Sequence, residues 1–147
     1  MNYSKPHAAL QQYSQVGAQT GVAYAGPHRL IQMLLDGAID KIALAKGYML
    51  RGDVPQKGNH ISWAISIING LRMSLDKTAG GGIAQHLDDL YDYMERRLFE
   101  ANLKNDPEML GEVSALLHKV KEAWDAIPDL VSDSAPENRP SAASAVR

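Results

Sequence analysis

Residues 58–71 read GNHISWAISIINGL, fourteen positions without a charged side chain in a chain of 147. The apolar residues here recur at helical rather than strand spacing. Ile61, Ile65, Ile68 and Leu75 fall on one side of a helix turned by about 100° per residue, while Trp63, Ile67 and Gly70 fall nearly opposite. The run is shorter than the roughly 18–20 residues of a membrane-spanning helix. It therefore reads as a helix of a water-soluble fold that carries apolar surface on two faces. Asp53 and Pro55 supply an N-cap and a first-turn proline, which places this helix over about 54–78. The Gly80-Gly81-Gly82 run is expected to break it.

Three further helices flank it. Over about 28–50, Leu30, Leu34, Ala38, Ile42, Ala45 and Met49 repeat at three- and four-residue steps, behind Pro27 and ahead of Gly52. Over about 83–103, Ile83, Leu87, Leu90, Tyr91, Met94, Leu98 and Ala101 line one face. Asp88, Asp89, Asp92, Glu95 and Arg96 line the other. Over about 107–127, Leu110, Val113, Leu117, Val120, Trp124 and Ile127 form a narrow coiled-coil-like seam, opened by Asp106-Pro107 and stopped by Pro128. Short connections favour antiparallel neighbours. The fold expected is all-α: an antiparallel up-and-down four-helix bundle over 27–128, with an N-terminal cap or lid over 1–26. The tail, 129–147, is so rich in Ser, Ala and Pro that its composition predicts disorder.

Composition narrows the function. A net charge of −2 argues against general nucleic-acid or anionic-membrane binding. With no cysteine, disulfide scaffolds, cysteine nucleophiles and thiolate metal sites are excluded. The N-terminal MNYSKPHAALQQYSQ lacks the apolar core of a secretory signal, so a cytoplasmic protein is expected. No metal, cofactor or catalytic site is expected. The five histidines, His7, His28, His60, His86 and His118, never stand in the Glu-x-x-His spacing of di-iron bundles. His86 precedes Leu87-Asp88-Asp89, an acidic setting for a phosphoryl carrier, and His118-Lys119 lacks the small neighbour such a site needs. Asp88, Asp92 and Glu95 share one helix face and read as solvent-facing residues beside Arg96. The glycine run has neither the Lys nor the preceding strand of a phosphate loop.

What remains is surplus apolar surface. The 54–78 helix carries two stripes, and Met33, Gly37 and Leu44 widen the stripe of the 28–50 helix. One reading makes the 54–78 helix central, touching neighbours on both sides. The other makes these two helices a groove for a partner's amphipathic helix, with Met33, Leu44, Trp63, Ile67 and Leu71 as partner-binding residues. Self-association through the same face is a third. Leu10, Tyr13 and Val16 form an apolar edge that would either cap the bundle or lie in the groove as a displaceable lid. A histidine-phosphotransfer or signalling bundle and a self-associating structural bundle are the alternatives from other functional classes.

Several stretches together resemble the flagellin-specific export chaperones of bacterial flagella: QQYSQVG (11–17), PHRLIQMLLDGAI (27–39), KGNHISWAISIINGLRMSLD (57–76), GGIAQHLDDLYDYMERRLFEANLKNDPEMLGEV (81–113) and LLHKVKEAW (116–124). The resemblance implies an all-helical, non-enzymatic, cytoplasmic chaperone that needs no cofactor. Its client would be the C-terminal segment of flagellin, disordered before assembly, which it would keep from polymerising and hold fit for type III export. Further implied partners are the flagellar export gate and, for some members, an anti-sigma factor. The family's client wraps the bundle with helical pieces in apolar grooves, and the stretch around Tyr13 covers part of the site in the free protein. The sequence departs from the family at Leu35, where many members carry tyrosine, at Gly80-Gly81-Gly82, and in its longer tail.

Overall fold

The computed structural model describes residues 26–127. Leu10, Tyr13 and Val16, expected to form a cap or lid, and the tail 129–147 lie outside them. The described residues form four helices: α1 (Pro27–Leu50), α2 (Val54–Met73), α3 (Lys77–Lys104) and α4 (Pro107–Ala126). Each packs on two others, α1 on α2 and α4, and α3 on α2 and α4, so the helices close a ring in chain order. With connections this short, that is the up-and-down bundle expected from the sequence.

The helix ends follow local chemistry. Asp53 accepts a hydrogen bond from the Gln56 amide at 3.2 Å and caps α2. Gly52, at φ 77°, lets the chain turn out of α1. Asp106 accepts from the Glu108 amide at 2.9 Å to start α4, directly after Asn105 ends α3 in the left-handed conformation.

One boundary differs from expectation. α2 stops at Met73 rather than near 78, because Asp76 is already the N-cap of α3, accepting from the Ala79 amide at 3.0 Å. The glycine run is not the connection. It lies within α3, which it interrupts at Gly81 (φ 56°, ψ −130°). Ile83 follows that break and is 74% exposed, so it does not line the core as its spacing suggests.

The core is built from the expected stripes. Leu34, Ala38, Ile42, Ile61, Ile68, Met94, Leu98, Leu110, Val113 and Leu117 are fully or almost fully buried. Each large side chain among them contributes about 1.5–3 kcal/mol by leaving water. Leu35, the position of the family departure, is also fully buried. So are Ile67 and Leu71, which corrects their assignment to an open groove. The central-helix reading holds for these two: α2 lies between α1 and α3, and its buried arc is wide enough to take in most of the second stripe. Trp63, of that second stripe, stays 47% exposed.

Candidate functional site

The outer seam of α1 and α2 carries an aromatic and cationic ladder. The Lys41 Nζ stands 3.9 Å from the centroid of the Trp63 ring. The His60 ring lies 6.0 Å from that of Trp63 and 5.0 Å from that of Tyr48. The Arg51 guanidinium closes the row, 5.0 Å from Tyr48. Helical geometry assembles it: Lys41, Leu44 and Tyr48 are spaced i, i+3, i+7 on α1, and His60 and Trp63 are i, i+3 on α2. Leu44 is 40% exposed beside them, and Met33 is half-buried further along α1. An exposed cation over an aromatic face contributes only about 0.5–1 kcal/mol, so these contacts hold the seam weakly.

Of the expected partner-binding residues, the structure therefore leaves Leu44 and Trp63 exposed and Met33 partly so. It withdraws Ile67 and Leu71 into the core. Lys41, Tyr48 and His60 escaped sequence reasoning, which followed apolar periodicity and passed over the polar-tipped residues on the same stripe.

The acidic face of α3 is not the plain solvent-facing row expected. Arg72 of α2 reaches across, its Nε 2.7 Å from Asp88 and its Nη1 3.2 Å from Asp92 and 3.9 Å from Glu95. Lys77 adds a second cation to Asp88 at 3.2 Å, and the Asn69 amide donates to Glu95 at 2.9 Å. The hydrogen bond from Arg72 holds the Asp88 carboxyl below its usual range, while burial pushes Glu95 the other way. Arg72 itself is raised by the bond to Asp88. The cluster locks α2 to α3, and its acids are occupied by these partners. On the far side Glu112 accepts from both Tyr93 and Arg97, tying α3 to α4.

Where α1 meets α4, His28 and Trp124 stack with centroids 4.9 Å apart. Their ring nitrogens bond each other's backbone carbonyls, each at 3.0 Å. At the opposite end, a cleft of about 260 Å³ lies between the α1–α2 turn and the α3–α4 turn. Among the described residues no group of three or more His, Asp or Glu side chains is placed to hold a metal ion. No helix there is long and apolar enough to cross a membrane.

Residues 9–130 match the family model described as flagellar protein FliS. The chain belongs to the FliS family. It is 51% identical over 119 residues to the flagellar secretion chaperone FliSB of Pseudomonas aeruginosa, covering 81% of this chain and 94% of that one. It is 46% identical over 121 residues to the flagellar secretion chaperone FliS of Salmonella typhimurium, covering 82% and 90%. To the Bacillus subtilis flagellar secretion chaperone FliS it is 33% identical over 124 residues, covering 84% and 86%. FliS proteins are thus flagellar secretion chaperones, a role that points away from catalysis. In FliS terms, the bundle supplies a rigid core and the α1–α2 seam a partly exposed aromatic and cationic surface.

Proposed function

We propose that this chain binds the C-terminal segment of flagellin in the cytoplasm, blocks its premature polymerisation and keeps it competent for type III export through the flagellum. The observation that carries this reading is the α1–α2 seam of a FliS-family bundle: Leu44 and Trp63 stand exposed on a well-packed fold that does not need them. A client helix with apolar residues at i, i+3, i+4 and i+7 would lay that stripe along Met33, Leu44 and Trp63. The bases of the ladder, Lys41 and Arg51, flank the stripe and would face acidic residues of the client.

Binding is then coupled to folding. The client loses chain entropy as it becomes helical, so a large apolar contact yields moderate affinity. That suits a chaperone that must release its cargo. In the free protein Leu10, Tyr13 and Val16 would lie over part of the same site as a lid. The loaded complex would be the form presented to the export gate, with an anti-sigma factor as a further partner and homodimerisation as a competing use of the seam.

Titration of the purified chain with a flagellin C-terminal peptide tests the reading, with and without residues 1–17. A 1:1 complex that tightens on truncation supports client and lid together. A complex that weakens makes the N-terminus a contributing contact, and no binding by either form refutes the reading.

A further inference from the structure

Lys57 is the one lysine of the described residues that is buried, with 7% of its surface exposed. Its Nζ donates to the Asn102 carbonyl at 3.2 Å and to Asn105 Oδ1 at 3.1 Å, both neutral oxygens. An ammonium has three N–H donors, and a buried charge is costly unless an opposite charge meets it. Lys57 also lines the cleft of about 260 Å³ at the turn end of the bundle, with Met49, Val54 and Leu103 among its walls. Val54 and Leu103 are 63% and 68% exposed, so the mouth of this cleft is apolar. Asp53 lines it too and caps α2 through the Gln56 amide, but among the described residues no carboxylate oxygen lies within 4.0 Å of the Lys57 ammonium. The cleft thus pairs a buried cation with apolar walls, the chemistry that fits a carboxylate next to an aliphatic side chain.

Position selects the source of that carboxylate. The cleft sits where the helices end in turns, so a segment running along a helix seam finds no further helical surface beyond it. We infer that this cleft seats the chain-terminal carboxylate of the client, with Lys57 supplying the charge and Val54 and Leu103 gripping the last side chain. The inference rests on the client being a C-terminal segment. It gives the chaperone a physical means of telling a chain end from an internal helix of similar pattern.

The test uses the full chain and three forms of a flagellin C-terminal peptide: the free acid, its C-terminal amide, and a version extended by two residues. The amide and the extended peptide should each bind roughly tenfold more weakly than the acid, the scale of one lost charge-assisted hydrogen bond. Lys57→Met should erase the difference between acid and amide. Val54→Asp, at an exposed first-turn position that accepts an acidic residue, should weaken the acid more than the amide. That variant keeps the question answerable should Lys57→Met lose its helical circular dichroism. Equal binding of acid and amide by the wild-type chain overturns the inference and leaves the client assignment standing. An acid preference that survives in Lys57→Met and in Val54→Asp places the carboxylate elsewhere and also overturns it. If no form of the peptide binds, the client assignment fails and the inference falls with it.

Discussion

Lys41 on α1 holds its ammonium 3.9 Å from the centre of the Trp63 ring on α2, bridging the outer seam of the two helices. The contact keeps a large indole on the surface by covering one face with a cation instead of burying it. This is the relationship from which the proposed client site is read, and it separates surface function from core stability at the level of single residues.

Trp63→Asp and Leu44→Asp should therefore disable binding without unfolding the bundle. Both side chains are 40% exposed or more. Loss of either apolar anchor should weaken a flagellin C-terminal peptide at least tenfold, about 1.4 kcal/mol. The melting temperature should stay within a few degrees of wild type. Calorimetric titration alongside a thermal melt reads both quantities, and wild-type affinity in both variants would remove the seam as the client site.

Ile67→Asp should behave in the opposite way. Ile67 has no exposed surface, so a carboxylate there enters the core among side chains that cannot solvate it. A loss of about 4 kcal/mol or more is expected, seen as an early urea midpoint or failure to fold. A well-folded Ile67→Asp protein would show that the buried arc of α2 is drawn too wide.

The Arg72 cluster predicts two acid dependences of opposite sign. The folded state lowers Asp88, so its contribution is present above the unfolded carboxyl pKa of 3.8 and disappears as pH falls through the depressed value. Asp88→Asn should be less stable than wild type at pH 7, with the gap closing below about pH 4. Glu95 is raised by burial, so its protonated form suits the fold better than its ionised form. Its favourable contribution is complete below 4.5 and is lost as pH rises through the raised value. Glu95→Gln should therefore gain on wild type as pH rises through that range. Urea titrations at several pH values would show it, and parallel pH profiles for the two variants would contradict the assignment.

Adjacent glycines of α3 should respond oppositely to alanine. Gly81 sits at φ 56° and ψ −130°, a conformation that side chains with a Cβ disfavour, so Gly81→Ala should cost about 1–3 kcal/mol. At Gly82 an added Cβ meets no atom within 4 Å. Gly82→Ala should be neutral or stabilise by up to about 1 kcal/mol. Thermal melts decide it, and equal effects would mean the break is not held at Gly81.

The sequence alone determined the four helices, their antiparallel order and most of the core. The reason is that a 3.6-residue repeat, a capping aspartate or a first-turn proline acts within a few residues and needs no partner. Asp53, Asp106 and Pro107 do in the fold what their local chemistry requires. Only the tertiary structure decided how far around α2 the burial extends, because burial depends on the packed helices and not on the stripe itself. Ile67 and Trp63 read alike on the helix, yet one is sealed in the core and the other lies open under Lys41. The convergence of Asp88, Asp92 and Glu95 on Arg72 was equally hidden, since Arg72 and the nearest of these acids are sixteen residues apart and meet only when α2 packs on α3. Lys57 is the clearest case: a lysine in the first turn of a helix is ordinarily solvated, and only the α3–α4 turn folding over it makes it a buried charge.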